Sequence, residues 1–383
     1  MRAIVIGGGI AGLAAAIALR KAGYAVSVHE QAPELLPMGA ALSLWGNAMA
    51  ALDWLGVAEP VETDAAAIKS VGAFDRKGRS ILSIDVARAY GPALPTPRLA
   101  TRTLLQSALL GGLGNVDLQL GQTLAAITQS TDGVQAEFAD GTRATADLAV
   151  IADGIWSPTA NALLGTAPTH QRYGGVLALS DVAPGACAAG NSYEYWGRGE
   201  RFGVFDLGGD RTYWFYMRNE VDPTGSKTLR LPDIGARLAD WPASIARAVG
   251  ATPADRLIPF SIHAKPPPKR LGQGRIICVG DAAHAMHPNL GQGGCQALED
   301  ALALGCAAAR HAPTDILPVF ERLRLKRIAT FVSRSAHPAF VAQSRHHGVA
   351  GAVRRSIALV PDRLLESNFA PLHALPDYEA LAK

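Results

Sequence analysis

At 383 residues, 49% of them hydrophobic and 18% charged, the chain is long enough for two domains or two interleaved ones, and global disorder is not expected. Its formal charge of +3 is too small to argue for nucleic acid. The four cysteines, Cys187, Cys278, Cys295 and Cys306, form no C-x-x-C pair, and neither His284 nor His287 has a nearby cysteine partner; neither a disulfide framework nor a metal site is expected, and a reducing cytoplasm fits.

The apolar run Ala3–Leu19 has the outline of a signal peptide, but three consecutive glycines stand where a continuous helix is needed, and the run is short for a membrane span. A dinucleotide fingerprint explains it better. Ala3–Ile6 reads as a β-branched strand ending in Gly7-Gly8-Gly9-Ile10-Ala11-Gly12, followed by an Ala- and Leu-rich helix through Lys21 that Gly23 stops. A second strand, Ala25–His29, ends at Glu30, about 20 residues past the glycines. In that pattern Gly7 makes the turn, Gly9 lets a pyrophosphate approach the backbone, and Gly12 lets the helix pack on the strand. Glu30 accepts hydrogen bonds from adenosine ribose hydroxyls and repels a 2′-phosphate, so NAD or FAD is expected and NADP is not.

Gly39–Leu55 reads as a loop and then a helix, with Asn47 as a cap and Ser43 either a turn former or a ligand contact. Ser70–Asp85 alternates like a hairpin turning at Arg76-Lys77-Gly78. After Pro92, Pro95 and Pro97 comes the helix Thr101–Leu110, opened by Arg102, which is either a surface residue or a phosphate contact. Val116–Leu120, Val134–Phe138 and Leu148–Ile151 read as strands, the last running into Ala152-Asp153-Gly154.

From about Gly165 the period becomes two: Gly174–Val182, Arg201–Leu207 and Arg211–Met217 suggest an antiparallel sheet, with Gly208-Gly209-Asp210 as a three-residue hairpin loop. That register puts Arg201, Gly203, Phe205, Tyr213, Phe215 and Met217 on one face. Such a face suits either a flat, partly polar ring or simple packing on the other domain. Lys265–Lys269 is a stiff linker to Arg275–Val279, a buried strand ending at Gly280-Asp281. Gly291, Gly293 and Gly294 then free backbone N–H groups at a helix start; the stretch is either an ordinary connection or a site for an extended polar ligand. Thr314–Arg345 is helical, with Arg322, Arg324, Lys326 and Arg327 read as a solvated basic face or a weak peripheral membrane contact. His346–Lys383 reads as a loosely packed tail of short helices.

Three stations in this order, Gly7–Gly12, Ala152-Asp153-Gly154, and Gly280–His284 with Pro288 and Gly291-Gln292-Gly293, resemble the single-component FAD-dependent aromatic monooxygenases, the group of para-hydroxybenzoate hydroxylase. Gly39–Asn47, Gly199–Gly203, Tyr213–Phe215 and Gly291–Asp300 look closest to the branch of urate hydroxylase, 2-alkylquinolone hydroxylase and zeaxanthin epoxidase. The resemblance implies an α/β fold: a Rossmann-like FAD domain (1–70, 98–165, 268–345), an interleaved, mainly antiparallel substrate domain (71–97, 166–267) and a C-terminal helical tail (346–383). It implies FAD contacts at Gly7, Gly9, Ala11, Gly12, Glu30, Gln31, Ser43, Arg102, Leu124, Asp153, Asp281, Pro288, Gly291, Gln292, Gly293, Gly294 and Cys295, and substrate contacts at Arg201, Tyr213 and Phe215. His284 and His287 become loop residues near the flavin, with a proton-relay role as the alternative.

The implied activity is that of a monooxygenase with tightly but non-covalently bound FAD. It would consume NADH or NADPH, docked transiently, and deliver one atom of O₂ through a flavin hydroperoxide to an aromatic or N-heteroaromatic ring. An isoprenoid epoxidase and a non-catalytic FAD-binding module are the alternatives. A monomer or homodimer without an integral membrane segment is expected. Four positions depart from the branch: Ala11 replaces a frequent glycine, Ala160 and Asn161 stand where an arginine serves NAD(P)H, Ala178-Leu179 replaces a Trp-Arg pair, and Asn289 replaces an aspartate, which argues against urate itself.

Overall fold

The computed structural model describes residues 1–35, 40–181, 189–344 and 347–383. Six strands form a sheet in the order Gly272–Gln273, Ile276–Cys278, Leu148–Ile151, Arg2–Ile6, Ala25–Glu30, Asp117–Leu120, parallel except for the first. Its central strands are apolar on both faces because helices cover both. The alanine-rich helix Ile10–Lys21 packs on the helix Gly293–Ala308, and both are buried along nearly their whole length.

A second sheet has seven strands, in the order Ile258–Ala264, Thr169–Ser180, Arg211–Asn219, Glu200–Gly208, Asn191–Trp196, Ser70–Asp75, Ser80–Asp85. All its pairs are antiparallel except Asn191–Trp196 with Ser70–Asp75, so the sheet draws on segments either side of the Rossmann-like strand Leu148–Ile151. This is the interleaved α/β architecture the resemblance implies. One face buries Phe202, Val204, Trp214 and Tyr216 against Ile234, Ile245 and Val249 of two covering helices, Leu231–Arg237 and Ala243–Gly250. A separate cluster of Tyr173, Phe215 and Met217, with Phe205 and Tyr213 packed against it, lies on the other face.

Several local expectations are corrected. Gly208 pairs with Arg211, so the hairpin loop is the two residues Gly209 (φ +57°) and Asp210 (φ +56°), both left-handed as such a turn requires. Asn191–Trp196 and Leu124–Gln129 are strands the sequence reading omits. Trp45, not Asn47, precedes the helix Gly46–Leu55, and Asn47 is fully buried. Cys278, Cys295 and Cys306 are buried free thiols, and Cys187 lies outside the described residues. No helix among the described residues is long and apolar enough to cross a membrane.

The largest correction concerns the basic stripe of the helix Ile316–Ala342 and the tail. Arg322 and Lys326 are exposed, but Arg324 is fully buried. Its Nε donates to Asp300 Oδ1 at 2.8 Å and its Nη1 to Glu299 Oε2 at 2.6 Å. Arg327 Nε also donates to Glu299 Oε2, at 2.7 Å. Tyr378 of the tail closes the cluster, its hydroxyl donating to Glu299 Oε2 at 2.9 Å. Two further contacts tie the tail down: His373 stacks on Trp45 with centroids 4.6 Å apart, and Glu366 accepts from Arg88 Nε at 2.7 Å. The tail is therefore anchored, not loose.

Burial works to raise the carboxyls of Glu299 and Asp300, but Arg324 and Arg327 for the first, and His284 and Arg324 for the second, overrule it and hold both below the usual range. Arg324→Ala removes the guanidinium that two buried carboxylates share, leaving Glu299 only Arg327 and Asp300 only His284 as a cationic partner, and is expected to cost about 3–5 kcal/mol in urea unfolding. With depressed folded-state values, the unfolded chain takes up these protons first as pH falls. The wild-type protein should therefore lose stability below about pH 4, a loss visible in urea midpoints across an acid series.

Candidate active site

Adjacent parallel strands deliver the three motifs to one edge of the sheet. Gly7 follows Arg2–Ile6, Asp153 follows Leu148–Ile151, and Gly280 follows Ile276–Cys278, all at carboxyl ends, where open α/β sheets bind ligands. Gly7 has φ +108°, and a Cβ there would lie 2.5 Å from the Ala152 carbonyl oxygen. A Cβ on Gly12 would overlap the Gly7 carbonyl, whereas one on Gly9 would meet nothing within 4 Å. The helix Ile10–Lys21 has no side-chain cap, so its first N–H groups border that open space and suit an anion. Glu30 closes the loop, accepting from Gly8 N at 2.6 Å and Ala32 N at 2.9 Å. Gln31 beside it is exposed, and Gln122 N donates to Glu30 O at 2.8 Å, bringing Leu124 alongside. Ala11 abuts Gly280, whose Cβ would come 2.7 Å from that of Ala11.

Asp153 Oδ1 is buried without a hydrogen-bond partner, and burial raises its carboxyl above the usual range. Asp281 is exposed and opens the short helical turn Asp281–His284. Lys265, which reads as part of a linker, is almost fully buried: its Nζ donates to Ala282 O at 2.6 Å and its backbone N to Ala285 O at 2.8 Å. Burial lowers its pKa, while Cys278, Asp153 and Asp281 pull it back up. A lysine beside three prolines carries no sequence signal for this burial.

His284 is fully buried and faces Asp300, with Nε2 to Oδ2 at 2.6 Å; Asp300 Oδ2 also accepts from Gly280 N at 2.9 Å. His284 thus braces the turn. After the turn Pro288–Leu290, Gly291 (φ +59°) packs under Trp45, and the helix Gly293–Ala308 starts without a side-chain cap. Cys295 Sγ donates to Ser43 O at 3.4 Å; burial pushes this thiol up to about 12, so it is no nucleophile. Gln292 is buried and accepts from Asn47 Nδ2 at 2.9 Å, which is what Asn47 does in place of capping. Gly294 abuts Leu42. Arg102 is exposed, its N donating to Ala40 O at 3.2 Å, and its charge reaches Tyr213.

The expected face of the second sheet forms as read: Arg201 pairs with Met217, Gly203 with Phe215, and Phe205 with Tyr213. Phe205 lies 5.3 Å from Tyr213 and 5.7 Å from Phe215, centroid to centroid. Arg201, 2% exposed, lies over the Phe215 ring and donates from Nη2 to Asn289 Oδ1 at 2.5 Å and from Nη1 to Glu194 Oε2 at 3.3 Å. Asn289 belongs to the turn ahead of Gly291 and donates to Ser335 O at 2.7 Å. Face and loop therefore touch. Two neighbours escape the sequence reading: Glu194, on the omitted strand, and Tyr173, whose hydroxyl lies 2.8 Å from His287 Nδ1. Ala160 is fully buried, its N donating to Ser157 Oγ at 3.0 Å.

The FAD binding domain family matches residues 1–335. The chain belongs to this family. It is 34% identical over 338 residues, 87% of each chain, to an aurachin C monooxygenase/isomerase of Stigmatella aurantiaca. It is 32% identical over 346 residues, 88% of each, to an FAD-dependent urate hydroxylase of Klebsiella pneumoniae subsp. pneumoniae. The Klebsiella pneumoniae HpxO complexed with FAD and uric acid superposes with a TM-score of 0.89 at 26% identity, covering 97% of this chain and 96% of that one. A salicylate hydroxylase shares the fold, with a TM-score of 0.82 at 22% identity over 100% and 98% of the two chains. The chain is an FAD-dependent monooxygenase of the hydroxylase group.

FAD fits the residues present: open space at Gly9 before an uncapped helix, an unpartnered carboxylate oxygen on Asp153 and a second uncapped helix at Gly293 all face the same sheet edge. Gly12→Val forces the helix off the Gly7 carbonyl. The purified variant is expected to lose its flavin absorbance, and added FAD should not restore it.

Proposed function

We propose that the protein consumes NADH or NADPH and O₂ and places one oxygen atom on an aromatic or N-heteroaromatic ring, held between the Arg201–Tyr213–Phe215 face and the 288–295 loop. The observation that best supports this is the Arg201–Asn289 contact of 2.5 Å, a guanidinium on the aromatic floor bonded to the loop before the Gly293 helix. Bound FAD supplies the redox chemistry. In this reading Glu30, with Gln31 and Leu124 beside it, holds the adenosine ribose, and the N–H groups beyond Gly9 take the pyrophosphate. Asp281 holds the ribityl or pyrophosphate portion; Ser43 and Arg102 flank it. The Gly291–Cys295 backbone meets the ring edge, where the partial positive charge of an uncapped helix start favours negative charge.

Phe205, Tyr213, Phe215 and Met217 form an apolar floor that keeps water from the reacting atoms; admitted water would divert the enzyme to releasing peroxide. Burial holds the Tyr213 phenol above its usual range, so it stays protonated and keeps a proton to donate to a bound ring. Relatives whose names carry urate and 3-amino-4-hydroxybenzoate are 32% identical to the chain and support a ring substrate. The polar groups of Arg201, Glu194, Asn289 and Tyr173 favour such a ring over an isoprenoid alkene.

A screen of substrate-stimulated NADH and NADPH oxidation with uric acid, salicylate, 3-amino-4-hydroxybenzoate and quinolones tests the proposal; a product one oxygen atom heavier supports it, and a silent panel sinks it. Glu30→Ala should weaken FAD binding by about 10–100-fold, the loss of hydrogen bonds to a charged group, as read by flavin fluorescence. Arg201→Met should lower kcat/KM for the accepted ring by a similar factor and raise the peroxide released per NAD(P)H.

A further inference from the structure

Lys265 is the only buried lysine among the described residues, at 3% exposed. Its Nζ donates to Ala282 O at 2.6 Å and its backbone N to Ala285 O at 2.8 Å, so it grips the short helical turn Asp281–His284 from within and just past its end. Any N–H would serve those carbonyls; an ammonium adds a charge that is costly to bury. Arg324 offsets that cost with carboxylate oxygens at 2.6 and 2.8 Å, whereas no ion pair among the described residues includes Lys265. The groups that act on its charge are Cys278, Asp153 and Asp281. Burial pushes the Cys278 thiol up to about 12, so it carries no charge at neutral pH. Asp153 and Asp281 follow two adjacent strands of one sheet, and Glu30, which acts on Asp153, ends a third strand at the same edge. That edge holds three acidic side chains before any ligand arrives. Arg270, which also acts on Cys278, and Arg102 are exposed, and water screens exposed charge.

FAD brings a diphosphate, and so further negative charge, to this edge. We infer that Lys265 is a positioning residue of the FAD site: it pins the turn that carries Asp281 and supplies the buried positive charge that lets a diphosphate settle near Glu30, Asp153 and Asp281. Charges interact most strongly away from water, so one buried ammonium counts for more than the exposed arginines. A lysine that only braced the turn could give way to a neutral donor without loss of FAD. One that balances the diphosphate could give way only to another cation. The inference rests on FAD as the cofactor and not on which ring is oxidised, so it and the ring-oxidation reading fail separately.

The test compares Lys265→Gln, which offers the Ala282 carbonyl an N–H without a charge, with Lys265→Arg, which keeps the charge. FAD affinity of the full-length protein is read from flavin fluorescence. At neutral pH Lys265→Gln should bind FAD about tenfold or more weakly than the wild type, and Lys265→Arg within about threefold of it. The pH profile gives a second reading. A lysine sheds its proton as pH rises and an arginine does not, so the wild type should lose FAD affinity toward alkaline pH that Lys265→Arg keeps. Cys278, Asp153, Asp281, Arg270 and the flavin are the same in both proteins, so their own titrations cancel in that comparison. An unchanged FAD affinity in Lys265→Gln, or a loss in Lys265→Arg as large as in Lys265→Gln, overturns the inference. If Lys265→Gln does not fold, parallel alkaline losses in the wild type and Lys265→Arg overturn it in the same way.

Discussion

One buried guanidinium organises the cofactor side of this protein. Arg324 holds Glu299 and Asp300 at the middle of the helix Gly293–Ala308, and each carboxylate passes the constraint on. Asp300 grips the Gly280 N–H and His284, which fixes the turn carrying Asp281. Glu299 accepts from Asn47 and Gln296, whose amides meet Gln292 in the loop before the helix. Charges so deeply buried are tolerated when they are paired and hydrogen-bonded, as Arg324, Glu299 and Asp300 are here. The turn carrying Asp281 and the loop carrying Gln292 are thus set by a single cluster.

The antiparallel sheet is joined to this frame through Asn289. Its amide donates to the Ser335 carbonyl on the same helix as Arg324 and accepts from Arg201 on the antiparallel sheet. An aspartate in that position would have given Arg201 a second negative partner. With asparagine the contact is kept, and Glu194 is the carboxylate that pairs with Arg201.

Local signals were legible in the sequence and non-local ones were not. The glycine motif, its strand and helix, and Glu30 sit within one stretch and obey one steric rule, so Gly7, Gly9 and Gly12 could be read from spacing alone. The face shared by Arg201, Gly203, Phe205, Tyr213 and Phe215 was legible because alternation in two neighbouring strands fixes which residues stand side by side. Arg324 looked like any other residue of a basic stripe, since its partners lie a full helix away and burial leaves no mark on a Lys/Arg-rich run. Glu194 was hidden by a strand whose register is set by Ser70–Asp75, far upstream, and Lys265 by a proline run. Asn47 fits the cap rule locally, but a buried carboxylate and Gln292 outcompeted the cap.

Tyr378 extends this arrangement beyond the part of the chain that the family match covers. Its phenol enters the Arg324–Glu299 cluster from the helical turn Tyr378–Leu381 and is the one donor there that comes from outside residues 1–335 among the described residues. The same cluster fixes the turn carrying Asp281 and the loop carrying Gln292, so a change at Tyr378 is transmitted to both by leaving a buried carboxylate one donor short.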